Sequence, residues 1–307
     1  MAAGWLGGTA LAAAPADGAA QSTPAVGGWM LVLWCALAVA AVVAVLRGEW
    51  FRATPRIGPA WTLRGEPSIF GFAAAFLAAA VGASIAVTAF SPEDPAAPLR
   101  MMAGKSVLAH AAQIAVVGFL FTVPQFRPRG AHTAVARGGV HQHPRGALES
   151  LVMALAAALM LWPVTQAIGG LVVWVQSWWG AVAPAVAHQT LEALSNSGAR
   201  DPWWWLAILG AAVLAPVAEE LLYRGLLQQG LKAAGLKPRG AIAVTSILFA
   251  IVHWGVLTEG SQVGALATLV TLSVGWGMLY ERTGRLWAPM IAHAAFNAAN
   301  LWVALKG

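Results

Sequence analysis

The chain has 307 residues, 59% hydrophobic and 10% charged, with a formal net charge of +6 and a mean hydropathy of +0.69. A water-soluble globular domain carries roughly 25% charged residues, so an ordinary cytoplasmic enzyme and a disordered chain are both excluded, and a polytopic membrane protein is left. At about 20 apolar residues per crossing there is room for eight spans and little soluble domain, and the surplus of Lys and Arg reports loop orientation, not nucleic-acid binding.

Residues 1–26 are rich in Ala, Gly and Pro, with Asp17 as the sole charge. A secretory signal would carry a basic start, so this stretch reads as a flexible, uncleaved lead. Eight apolar runs follow, at 27–46, 69–90, 105–125, 148–175, 203–229, 239–257, 262–280 and 286–305. They predict an all-α bundle of about eight transmembrane helices. The first four helices fill 27–180, and a catalytic bundle of four fills 203–305. The single cysteine, Cys35, lies within the first run as a small lipid- or core-facing residue. Alone it excludes an intrachain disulfide framework and a Cys-rich metal site.

The loops support this count. The odd-numbered ones carry Arg47, Arg52, Arg56 and Arg64, then Arg127, Arg129, Arg137 and Arg145, then Lys232, Lys237 and Arg239, then Arg282 and Arg285. The opposite side carries Arg100, Lys105, Arg200 and Lys306. By the positive-inside rule the odd loops are cytoplasmic and both termini face outward, as for a multi-pass protein of a bacterial plasma membrane. Trp178, Trp179 and Trp203 to Trp205 fall at the predicted outer interface, where indole rings prefer to sit. Trp50 and Trp61 place 48–66 along the inner surface. The loop 126–147 holds His132, His141 and His143 among Arg and Gly. It reads as a solvated basic loop, with metal binding as the alternative.

The first four runs hold almost nothing ionisable beyond His110. The fifth differs. Asp201 suits an N-cap and Pro202 the first helical position, and Pro216 should kink the helix. Glu219, Glu220 and Arg224 come next. Buried ionisable groups in a membrane mark function by default. Glu220 and Arg224, spaced i,i+4, predict an ion pair. Glu219 points about 100° away around the helix. The sixth run adds His253. The eighth adds His293 and Asn297, again i,i+4. Helical rise places Glu219, His253 and His293 in the middle or inner half of the bilayer, where they could line one cavity.

Such a cavity supports activation of water. A carboxylate beside a histidine can act as general base, and a second His with an Asn amide can stabilise an oxyanion. No Ser or Cys is evidently activated, which favours direct attack by water. The HExxH motif is absent, and no cofactor is required. Glu and His are also metal ligands, so a zinc held by Glu219, His253 and His293 stays open as an alternative. Two other classes compete: a proton-coupled transporter using Glu, His and Arg as a relay, and a non-catalytic membrane partner or immunity protein.

Three motifs, EExxxR at Glu219–Arg224, FxxxH at Phe249–His253 and HxxxN at His293–Asn297, stand in order on three separate runs. Over 203–305 the sequence resembles the CAAX-protease and bacteriocin-processing (CPBP, or Abi) family of intramembrane proteases, which includes the type II CAAX prenyl endopeptidases. The resemblance implies an intramembrane endopeptidase acting on a membrane-anchored protein or peptide within the lipid bilayer. It implies that Glu219 and His253 activate the water and that His293 and Asn297 face the oxyanion. It allows either a metal-dependent or a metal-free mechanism, and the metal-free one is preferred here.

Overall fold

The computed structural model describes residues 28–47, 65–89, 97–123, 146–180, 187–197 and 200–306. The expected lead at 1–26, the tryptophans Trp50 and Trp61, and His132, His141 and His143 lie outside the described residues.

The fold is all-α and polytopic. Its helices are α1 (Gly28–Arg47), α2 (Gly65–Ala89), α3 (Ala97–Thr122), α4 (Ala147–Ser177), α5 (Gln189–Asn196), α6 (Pro202–Ala233), α7 (Pro238–Val252), α8 (Gln262–Thr283) and α9 (Trp287–Ala304). Among the described residues, seven are long and apolar enough to cross a membrane: α1 to α4, α6, α7 with the turn after it, and α8. The eighth expected span, α9, has 18 residues and buries His293, Asn297 and Asn300. Those side chains dilute its apolar character while the bundle shields them.

Asp201 caps α6 as its position suggests, accepting from the Trp204 amide at 2.9 Å, with Pro202 in the first turn. Trp178, Trp179 and Trp205 are exposed, as interfacial indoles are. Trp204 is not among them. It is buried, and its indole nitrogen donates to Leu194 O at 3.4 Å. A helix presents successive residues about 100° apart, so three consecutive tryptophans cannot share one lipid face.

The long helix α6 is interrupted by two π-helical stretches, Gly210–Leu214 and Leu221–Gln228. It is joined to α8 by a ladder of polar contacts. Arg224 Nη2 donates to Ser273 O and Oγ, both at 2.7 Å. Gln228 Nε2 donates to Glu281 Oε1 at 2.8 Å, and Lys232 Nζ donates to the same atom at 2.8 Å. Partners advance together along both helices, so α6 and α8 run parallel, as two helices with one crossing between them must.

The core between these helices is apolar and aromatic, with Leu222, Phe249, Leu269, Leu272, Trp276 and Phe296 buried. The N-terminal helices pack onto it. A Cβ on Gly82 of α2 would lie 2.6 Å from Leu108 O of α3, so the two backbones meet there with no side chain between. On the opposite side of α3, a Cβ on Gly210 would lie 2.9 Å from Ser106 Oγ. At one end of the bundle the short α5 is pinned by Ser195 Oγ donating to Ala304 O at 3.1 Å. The residues before α5 join those after α7: His188 bridges Leu257, and Thr258 N donates to Ala187 O at 3.1 Å.

Candidate active site

Glu219 and Glu220 close a short α-helical piece of α6, Ala215–Glu220, set between the two π stretches. The first stretch has a local cause. Ala215 N donates to Gly210 O, an i to i−5 bond. The next bond of that register would run from residue 216 to Ala211 O, but Pro216 has no N–H. Ala211 O instead accepts from Asn297 Nδ2 at 2.9 Å. At Pro216, where a kink was expected, the helix makes a π turn sealed by a side chain of α9.

The six expected residues are all buried. Glu220 Oε1 accepts from Arg224 Nη1 at 3.1 Å and from His293 Nδ1 at 3.0 Å. The Arg224 guanidinium lies against two rings that meet edge to face, 5.5 Å from the centroid of Phe249 and 5.7 Å from that of Trp276. Trp276 also stacks on His293, with centroids 3.9 Å apart and planes inclined by 17°. These contacts fix the His293 ring and direct its Nε2 to within 3.8 Å of Glu219 Oε2.

His253 Nδ1 donates to Phe249 O at 2.6 Å. Its Nε2 is then an acceptor in the neutral ring, and it stands 3.7 Å from Glu219 Oε1. The α-helical part of α7 ends at Val252, so His253 sits at its C-terminal end, where the spanning segment continues as a short turn to Val256. A 15-residue helix of about 22 Å beside the 32-residue α6 accounts for a helix end meeting a mid-helix carboxylate.

A third histidine was not expected at the site. His110 of α3 places Nε2 3.7 Å from Glu219 Oε1, with its Nδ1 3.3 Å from Ser106 Oγ. Its signal was present, since a histidine in a membrane span points to function. What the sequence lacked was any indication that α3 abuts α6. His188 lies near the site but outside the spans. Its Nδ1 accepts from Thr190 N at 3.1 Å, capping α5, and burial pushes its pKa well below the ordinary histidine value.

Among the described residues, no group of three or more His, Cys, Asp or Glu is arranged to hold a metal ion. The Nε2 atoms of His253 and His293 stand 3.7 and 3.8 Å from Glu219 oxygens, and as they stand these three residues form no such group.

Residues 201–299 match the family model described as Rce1-like, type II CAAX prenyl endopeptidase Rce1-like. The match spans α6 to most of α9, about a third of the chain, so this segment is similar to an endopeptidase domain. No curated protein matches, and no solved structure matches.

Proposed function

We propose that this chain is an intramembrane endopeptidase that hydrolyses a peptide bond of a membrane-anchored protein or peptide by direct attack of water. One observation carries the reading: Glu219 Oε1 and His253 Nε2, two acceptors on different helices, lie 3.7 Å apart in a buried site. One water can donate a hydrogen to each and keep its lone pair for the scissile carbonyl carbon. As the new C–O bond forms, Glu219 takes the proton. When the C–N bond breaks, the same carboxyl returns the proton to the leaving amine.

The negative charge that develops on the carbonyl oxygen falls to α9. Asn297 has a second amide hydrogen beyond the one given to Ala211 O. The His293 ring, held at Nδ1 by Glu220, donates through Nε2 when it is an imidazolium. Arg224 and Glu220 serve by holding that ring. The polypeptide would sit in a plasma membrane with odd loops inside, following the distribution of basic residues.

The match to a prenyl endopeptidase family selects the first probe. It is a quenched fluorogenic peptide with a prenylated cysteine near its C-terminus, added to the purified full chain in phospholipid vesicles. Cleavage should fall by about 10²–10⁴ in Glu219→Gln, while the protein still inserts. Wild-type turnover in that variant sinks the reading. On this water-only mechanism a chelator should leave the rate unchanged. Loss of activity with chelator, restored by a divalent ion, would overturn the water-only mechanism.

A further inference from the structure

Glu219 Oε1 is approached by histidines from two sides, and their other ring nitrogens are held differently. His253 Nδ1 faces a carbonyl, Phe249 O, which can only accept. His110 Nδ1 faces a hydroxyl, Ser106 Oγ, which can donate. The other nitrogen decides which tautomer a histidine takes. His253 therefore presents a bare Nε2 to Glu219. With Ser106 donating to Nδ1, His110 presents Nε2–H to the same carboxylate oxygen.

We propose that His110 and Ser106 of α3 form a positioning pair for the Glu219 carboxylate. Nε2–H of His110 holds Oε1 in place, and His253 and the water take the other side. The 3.7 Å separation exceeds a hydrogen bond and is of the kind that tightens once substrate is bound. The setting of α3 supports this role. Gly82 lets α2 lie directly on the backbone of Leu108 and Ala109, and Gly210 admits Ser106 against the first π turn of α6. Both close approaches fall within four residues of His110. The pair rests on the peptidase reading above, and it gives the N-terminal half of the chain a part in the site.

The test uses the full chain in vesicles with the same prenylated fluorogenic peptide, and Glu219→Gln as reference. His110→Leu, similar in size and without a donor, should lower kcat at least tenfold with KM and melting temperature nearly unchanged. His110→Gln, which restores a donor near Nε2, should recover most of that loss. Ser106→Ala should lie between them, and it removes only a hydroxyl should His110→Leu fail to fold. Wild-type kcat in both Ser106→Ala and His110→Leu, with Glu219→Gln inactive, overturns the pair and leaves the peptidase reading standing. Equal loss in His110→Gln and His110→Leu also overturns it, because the donor would then be irrelevant. Turnover in Glu219→Gln at the wild-type rate fails the peptidase reading itself.

Discussion

Glu220 receives a guanidinium from its own helix and an imidazole from α9 on one oxygen, so its removal or that of Arg224 leaves a buried charge uncompensated. Such losses cost about 3–5 kcal/mol. Arg224→Ala should therefore lower the melting temperature and the turnover together; a change in turnover alone would make Arg224 a substrate contact. The i,i+4 spacing of Glu220 and Arg224 was readable because it is local. The His293 contact was not, since it closes over 73 residues. His188 supplies a second test at this scale. Its folded pKa is pushed well below the ordinary value of about 6.5, so the folded state favours the neutral ring. The stabilisation is complete above pH 6.5 and is lost as pH falls below it, because a protonated Nδ1 can no longer accept from Thr190. The protection factor of the Thr190 amide, which removes the intrinsic pH dependence of exchange, should fall on acidification in the wild type. In His188→Asn, whose side-chain oxygen caps without titrating, exchange should respond much less.

At the scale of elements, the π turn before Glu219 decides where the carboxylates point. A hydrophobic period of 3.6 cannot disclose one inserted residue, so Pro216 read only as a kink and Asn297 only as an oxyanion donor. In the structure Asn297 also satisfies Ala211 O, the carbonyl for which Pro216 has no hydrogen. Orphaning a buried carbonyl costs about 1–3 kcal/mol. Asn297→Ala should therefore lose thermal stability as well as kcat. An unchanged melting temperature would confine Asn297 to the transition state. The contact of α2 with α3 makes a parallel prediction. A Cβ at Gly82 would meet backbone atoms at 2.6 and 2.8 Å, which cannot rotate away. Gly82→Ala should destabilise by about 1–3 kcal/mol, measurable as a lower thermal midpoint in detergent.

For the whole molecule, the composition made the all-α membrane fold legible, and the apolar runs placed α1, α2, α4, α6 and α8 to within a few residues, whereas α3 starts at Ala97, well before the run expected from residue 105. The least visible feature was how the halves join. Packing between α3 and α6 is set by small residues and shape, which leave no periodic trace. The parallel ladder between α6 and α8 fits an odd crossing at each with α7 returning between them. If α9 completes the count, the crossings are even in number and both termini share one side. A reporter active only outside the cytoplasm, fused after Gly307, should then be active, and so should one placed before Gly28. Activity before Gly28 alone would remove α9 from the membrane-crossing set, and a cytoplasmic-only reporter active at both ends would invert the topology and the side from which substrate enters.

The contact between Asn297 and Ala211 also has a consequence in time. Synthesis adds about 5–20 residues per second, and 86 positions separate the two partners. For roughly 4–17 s after Ala211 leaves the ribosome, on that rate, its carbonyl lacks the amide that seals the π turn. His293 is missing over nearly the same interval. A nascent chain halted before Trp287 would already carry Glu219 and His253, yet it would have neither the imidazole on Glu220 nor the brace on the helix that aims both carboxylates. On the peptidase reading, competence would arrive with α9, and a half-made copy would be unable to cut the membrane proteins being inserted beside it.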